Sequence, residues 1–594
     1  MTEFDNKIIN FIWQVATDVL YGPYKRGQYR YVILPMVVIR RLDSLLEHTK
    51  DKVLKTHEQY KDKLTKLDSL LMSPKTGSGY KFYNTSPYTL KKLLNEPKKI
   101  RENFELYLDG FNDTAKDIIS KFEFKNQLDK LEKHNLLYLL IQKFCSTTVN
   151  FSPEPVKDKD ENIILEGLTN HGMGYVYEEL IRQFNEENNE EAGDHFTPRE
   201  IIDLMTRVTF LPVKDRIKEG TYLIYDPCCG SGGMLTESKQ FITDPEGQIS
   251  SLAQIFLYGQ EISDETYAIC KSDLLIKGDD PNNIAYGSTL SNDGMEVGRK
   301  FDFMLTNPPY GKPWKADKDK LAGGGKEILD SRFSVGTPNV GDGQLMFVQH
   351  MLSKMKQTEQ GSRIASVHSG SALFSGDAGQ GETEIRKHII TKDMLECVIA
   401  LPKDMFYNTG IPTYIWVITN RKSENRVGRI QLIDATSDHF YQKMRRGMGK
   451  KQNEMLSQHI QLIADLYIAF EENEYSKIFD KDDFGYRKVI IQRPKYNEKG
   501  IIEKDAKGRV IYDKDFKDSE KIPLKRDLKE YMQKEVLPYL PDAEIDKTKT
   551  KIGYEIIFNN YFYKYTPVRN LKEILEDIRK LEAETDAILS EVIE

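Results

Sequence analysis

Between residues 221 and 435 the chain alternates short apolar runs with helix-like stretches, and no other feature of the sequence limits the fold as strongly. The runs lie at 222–225, 255–258, 301–305, 364–367, 395–400 and 414–419. Runs of that length with helix-sized segments between them predict an α/β fold, a mostly parallel sheet covered by helices, because parallel strands need a crossover to connect them. The last two runs break the rhythm. With the run at 430–433 they follow one another with no room for helices, which predicts an antiparallel pair at the sheet edge.

The flanks read differently. Up to about residue 140 the pattern is helical, with Leu34, Val38, Leu42 and Leu45 at steps of three and four. A proline-rich, charged stretch at 152–161 suits a boundary or a surface loop. The expected division is a helical domain over 1–165, an α/β domain over 166–438 and a mixed, charged region over 439–594. That last region ends in Leu571, Ile574, Ile578, Leu581, Thr585, Ile588 and Val592, a heptad seam with one polar position. The longest apolar run, 31–39, contains Pro35 and falls far short of the roughly 20 residues of a membrane helix. No secretion signal is read at the start, and the expected compartment is the cytoplasm. Five cysteines without a C-x-x-C pair predict reduced thiols and no structural metal. Lys plus Arg is 85 against 92 Asp plus Glu, a net charge of −7, so contact with nucleic acid has to come from local patches or from a partner. Lys443, Arg445, Arg446, Lys450 and Lys451 form one such patch, which a solvated loop would explain equally well.

Three motifs carry chemistry. Tyr225-Asp-Pro-Cys-Cys-Gly-Ser-Gly-Gly233 lies between an apolar run and a helical stretch, where glycines let the backbone approach a ligand and a helix start offers unpaired N–H groups. Its spacing is not that of a dinucleotide site, and no G-x-x-x-x-G-K-[ST] occurs, which argues against an ATPase motor. Thirty-five residues after Asp226, at the end of the next run, Glu261 stands where doubly wound folds hold a ribose. The third motif is a buried run leading straight into Asn307-Pro-Pro-Tyr310. The lone pair of an aromatic amine is delocalised into its ring and is a poor nucleophile. If the Asn307 side-chain oxygen and the Pro308 carbonyl accept the amine's N–H groups, they favour a tetrahedral nitrogen aimed at an electrophile. Prolines keep those acceptors rigid, and Tyr310 offers a face on which a base can stack. Residues 310–343, rich in glycine and charge, are long for a connecting loop and suit a functional one.

Together the glycine turn, Glu261 and Asn307-Pro-Pro-Tyr310 resemble the motifs of DNA adenine N6-methyltransferases. Over nearly its whole length the chain is similar to the modification subunits of type I restriction-modification systems. Phe196-Thr-Pro-Arg-Glu200, Asp330-Ser-Arg-Phe333, the stretch 401–412, the opening helical region and Phe484-Gly-Tyr-Arg487 fit the same family. The resemblance implies a Rossmann-like, S-adenosylmethionine-dependent methyltransferase domain with an N-terminal helical domain and a C-terminal helical tail. It also implies that Phe196, Thr197 and Pro198 pack against the cofactor, that Asp226 and the turn Gly230, Ser231 and Gly232 approach its methionine part, and that Glu261 binds its ribose. Asn307, Pro308, Pro309 and Tyr310 would hold a flipped adenine, with Tyr310 and Phe406 as stacking faces. Relatives often carry an acid near the cofactor adenine where Ser288 stands here, which makes Asp273 the substitute candidate. The implied partners are double-stranded DNA, a specificity subunit, a second modification subunit and, in larger assemblies, a restriction/motor subunit, with no membrane.

Other readings stay open at this stage. Asn-Pro-Pro-Tyr also serves enzymes that methylate glutamine side chains or other bases, since any planar amine needs the same acceptors. A self-sufficient methyltransferase would use residues 440–546 as its own recognition region. A binding protein built on the cofactor fold would not depend on Asn307 at all.

Overall fold

The structure, a computed structural model, describes residues 3–187, 197–325, 327–407, 409–563 and 570–593. It divides into a large unit, Met1–Ile556, and a small one, Ile557–Glu594.

The large unit is built on a nine-stranded sheet: β1 (Thr221–Asp226), β2 (Gln254–Glu261), β3 (Ile284–Tyr286), β4 (Phe303–Thr306), β5 (Arg363–Ser369), β6 (Leu395–Ala400), β7 (Thr413–Thr419), β8 (Arg429–Asp434) and β9 (Ser476–Asp480). Across the sheet the order is β9-β8-β6-β7-β5-β4-β1-β2-β3. The pairings from β3 through β5 are parallel, as is β6 with β8. All six predicted runs are strands, so the alternating pattern was a true signal of an α/β sheet.

The antiparallel pair of β6 and β7 is also present, but it is not at the edge. β7 is inserted between β5 and β6 and runs against both, with Ile418 opposite Ile364 and Trp416 opposite Val398. Every residue of β5, β6 and β7 is buried, and strands covered on both faces belong inside a sheet. β8 then continues on the far side of β6, and β9 closes that edge antiparallel to β8. The sheet therefore runs on past the boundary expected at Asp438.

The helical front has its own core, in which the helix Arg30–Leu46 is buried from Val32 to Leu46 with Pro35 inside it. Such a helix is held by packing on all sides rather than by amphipathic exposure. The core extends through the helix Asn170–Glu187, which contributes Met173, Val176, Leu180 and Phe184. It meets the sheet domain at the helix Asp264–Lys277, whose Ala268, Ile269 and Leu275 join the front core while Tyr267, Cys270 and Leu274 join the main one. Lys271 to Asp117 at 2.7 Å and Lys121 to Asp264 at 2.8 Å reinforce that junction.

Residues 485–554 form a smaller antiparallel sheet centred on Gly485–Gln492. It is fastened to the main domain by Arg386, which donates to the Tyr554 carbonyl at 2.8 Å. The small unit contains the helices Phe558–Phe562 and Leu571–Ile593. Among the described residues no helix is long and apolar enough to cross a membrane.

One buried ion pair ties four elements together. Arg363 of β5 meets Glu396 of β6 at 2.6 Å, and it also donates to the Tyr467 hydroxyl on the helix Ser457–Ala469 and to the Thr209 carbonyl on the helix Arg199–Phe210. Removing one partner of such a pair strands the other charge in a low-dielectric interior. Glu396→Ala should lower unfolding stability by about 3–5 kcal/mol in denaturant titrations; a loss below about 1 kcal/mol would mean that Tyr467 and Thr209 satisfy Arg363 alone.

Candidate active site

Three strand ends converge on one edge of the sheet, clipped together by two carboxylates. Asp226, the last residue of β1, is 2% exposed and accepts hydrogen bonds from the Cys228 amide at 2.9 Å and from Thr306 Oγ1 at 2.6 Å. Thr306 ends β4, so this contact fixes the residue immediately before Asn307. Glu261 ends β2, and its Oε2 accepts from the Gly230 amide at 2.9 Å while Oε1 accepts from the Ile262 and Ser263 amides. The glycine turn is thereby held from both sides. Burial pushes the Asp226 carboxyl up to about 7, against the opposing effect of its bonds to Thr306 and Cys228.

Gly232 shows why the turn needs glycine. Its φ is +85°, and a Cβ there would lie 2.7 Å from Cys270 Sγ. Sharing with Cys270 and burial hold the Cys229 thiol well above its ordinary range, which makes it a packing group rather than a nucleophile.

A cavity of about 250 Å³ opens beside these strand ends, lined among others by Pro227, Glu261, Ser288, Asn307, Trp314 and Asp317. Asn307 Oδ1 is buried in its wall and, among the described residues, accepts no hydrogen bond. A buried acceptor left unmet costs about 1–3 kcal/mol, and natural proteins keep few such groups. Pro308 is buried, Pro309 is exposed at the cavity, and Tyr310 is half-buried against the main core.

The long segment after Tyr310 folds into the opposite wall. Trp314 is buried with Leu290, Phe333 and Phe347, and its indole N–H donates to the Asn339 carbonyl at 3.0 Å. The following helix, Lys315–Ala322, carries Asp317, which accepts from Ser288 Oγ at 2.6 Å. Arg332 then pins the loop bearing Ser288: its guanidinium donates to the carbonyls of Thr289 and Leu290 at 2.8 Å each and pairs with Asp330 at 2.7 Å. It also lies 2.9 Å from His350 Nδ1. Burial and the Arg332 charge hold His350 well below its ordinary range, so the ring is neutral. Arginine can only donate, so Nδ1 accepts and Nε2–H donates to the Tyr225 hydroxyl at 3.0 Å.

Of the residues singled out in the sequence, Glu261, Ser288, Asn307 and Pro309 line the cavity, and Asp226, Gly230, Ser231 and Gly232 form the turn behind it. Asp273 does not belong there. It pairs with Lys277 at 2.6 Å on the side of its helix that faces Gly174 of the helical front. The acid beside Ser288 is Asp317, whose distance in sequence hid it. Phe406 is 2% exposed within the main core, so its ring does not face an open site. Thr197 and Pro198 lead into the helix Arg199–Phe210, with the Pro198 carbonyl accepting from Ile201 and Ile202, and neither lines the cavity. Phe196 lies outside the described residues. Thr306, Trp314 and Arg332 were not singled out, although Thr306 adjoins Asn307 and Arg332 sits in the Asp330-Ser-Arg-Phe333 motif.

The raised Asp226 carboxyl gives a signed expectation. A folded-state value near 7 against an ordinary 3.8 means that the folded chain binds the proton more tightly, so this group's contribution to stability is lost as pH rises from about 4 to about 7. Asp226→Asn should raise the melting temperature more at pH 8 than at pH 4; equal shifts at the two values would contradict the buried-carboxyl account.

The profile of the N-6 DNA methylase family matches residues 168–505, and that of the HsdM N-terminal domain matches residues 8–144. The MjaIX methylase subunit of a type I restriction enzyme from Methanocaldococcus jannaschii is 25% identical over 82% of this chain and 80% of its own length. The MpnII methylase subunit from Mycoplasma pneumoniae is 25% identical over 81% and 87%. The HindI methylase subunit from Haemophilus influenzae is 31% identical over 44% of this chain, about half (54%) of that subunit. In fold, the crystal structure of a type I restriction-modification methyltransferase subunit from Streptococcus thermophilus superimposes with a TM-score of 0.58 at 20% identity, covering 81% of this chain and 97% of the other. With more than half of its length matched, the chain belongs to the N-6 DNA methylase family of adenine-specific DNA methyltransferases, as a modification subunit of the type I kind.

Proposed function

We propose that the chain transfers a methyl group from S-adenosylmethionine to the N6 amine of an adenine flipped out of double-stranded DNA, with the target sequence read by a separate specificity subunit. The observation that carries this reading is Asn307 Oδ1, a buried acceptor with no partner among the described residues, in the wall of the cavity that Glu261 also lines.

The residues present fit the cofactor. Glu261 is a carboxylate at a strand end suited to ribose hydroxyls, the 230–232 turn would lie against the methionine part, and Ser288 with Asp317 offers polar groups for the adenine end. When bound, S-adenosylmethionine supplies an electrophilic methyl group. The chain's own residues prepare the nucleophile. Asn307 Oδ1 and the Pro308 carbonyl accept the two amine hydrogens and draw the nitrogen toward a tetrahedral geometry. The two prolines hold these acceptors without reorganisation, and Tyr310 gives the extrahelical base a surface to stack on. A net charge of −7 fits a subunit that relies on a partner for much of its grip on DNA.

The helix Leu571–Ile593 is the proposed contact with that partner. Leu571, Ile578 and Leu581 of its heptad seam are 70%, 46% and 62% exposed, a row that suits packing against helices of another chain. A second modification subunit would complete the methylating assembly, in the cytoplasm where host DNA lies.

The decisive experiment measures N6-methyladenine in the DNA of a methylation-free host expressing this chain alone or with its specificity subunit. Methylation only with the partner is the expected result. Methylation by the chain alone would make it self-sufficient, and none in either case would redirect attention to other amines. Asn307→Ala should reduce turnover at least about a hundredfold while cofactor affinity stays within about threefold; equal loss of both would remove Asn307 from its role. Deleting residues 571–594 should abolish co-purification of the specificity subunit with cofactor affinity unchanged, and retained co-purification would refute the seam.

A further inference from the structure

The geometry points to the hairpin formed by Gln442–Met448 and Lys451–Glu454 as a clamp for the DNA phosphate backbone beside the target-base site, a proposal that rests on the DNA-methylating reading above. Lys443, Arg445 and Lys450 on this hairpin are exposed, and among the described residues none of them pairs with an acidic side chain. The side chain of Arg446 lies outside the described residues. Within the ribbon the cations are also close together in sequence, with Arg445 two residues after Lys443 and Lys450 in the turn between the strands. In a chain with more acids than bases, three unpaired cations on one ribbon are a local reversal of charge.

The position of the ribbon follows from the topology. β6 runs parallel to β8 and antiparallel to β7, which is antiparallel to β5, so β6 points the same way as β5, β4 and β1. The loop after Ala400 therefore emerges at the edge where Asp226, Glu261 and Asn307 lie. The hairpin is attached to that loop: the Lys450 amide donates to the Tyr407 carbonyl at 3.0 Å, and the Gln452 and Asn453 amides donate to the Asp404 carbonyl. Asn453 Nδ2 adds a bond to the Lys403 carbonyl at 2.8 Å.

Lys451 is the anchor and not a phosphate ligand. It is 3% exposed, and its ammonium is consumed by the Glu200 carboxylate and by the Met405 and Asn453 carbonyls. Glu200 belongs to the helix that follows Thr197 and Pro198, so the buried pair fastens the ribbon to the catalytic domain while its neighbours stay in solvent. A ribbon anchored at Lys451, with unpaired cations and with glycines near its tip, Gly447 and Gly449, suits close approach to phosphates. Such contacts position a duplex without reading its sequence, which is the task left to a subunit whose reading is done elsewhere.

The test is the salt dependence of DNA binding by the chain in complex with its specificity subunit, using a duplex of random sequence between about 50 and 200 mM salt. Each lost phosphate contact removes about 0.9 from the slope of log affinity against log salt, so K443Q/R445Q/K450Q should lower the slope by about 2 to 3. K443R/K450R should keep the wild-type slope, and cofactor affinity should be the same in all three proteins. An unchanged slope in the glutamine variant overturns the clamp, as does a wild-type complex that does not bind DNA. The slope is read from binding alone, so it decides the matter even where the wild-type complex methylates nothing, a result that would count against adenine methylation instead.

Discussion

The arrangement of the strand ends at the candidate site depends on the buried carboxylate of Asp226. It faces Thr306 across the sheet and the Cys228 amide within its own turn, and so it locks the glycine turn to the strand that delivers Asn307. Glu261 completes the clip from the other side through the Gly230 amide. Burying a carboxylate is unfavourable, as the upward push on Asp226 records, and the bonds to Thr306 and Cys228 only partly offset it. The fold tolerates that penalty at the strand ends beside the cavity.

A second unfavourable group lies next to Thr306. Asn307 Oδ1 is buried without a donor among the described residues, held between a strand and two prolines. Preorganised acceptors of this kind act strongly because they do not have to reorient when the substrate arrives, and they lower the stability of the free protein for the same reason. The surroundings make up the difference. Arg332, Trp314 and Gln260 brace the loops on either side, with Gln260 donating to the Asn292 carbonyl at 2.8 Å and accepting from the Gly294 amide at 3.1 Å.

The helical front and the catalytic domain share a helix instead of merely touching. Because Asp264–Lys277 gives one face to each core, its polar positions are committed to the junction, and Asp273 is one of them. That also explains why Asp273 does not line the cavity. The segment after Tyr310 reaches the cavity from far along the chain and supplies both Trp314 and Asp317.

Local chemistry writes part of this molecule directly along the chain. Apolar runs of strand length, a glycine-rich turn between a strand and a helix, an acid at a strand end and a strand ending in Asn-Pro-Pro-Tyr are all legible because each depends on neighbours a few residues away. The heptad seam from Leu571 is legible for the same reason. Packing between distant segments inserts β7 between β5 and β6, sets Asp317 and not Asp273 by Ser288, turns Phe406 into the core, and buries Lys451 while Lys450 stays exposed. Each of these depends on which distant segment covers a face, and burial is a property of the packed chain that no spacing of residues records.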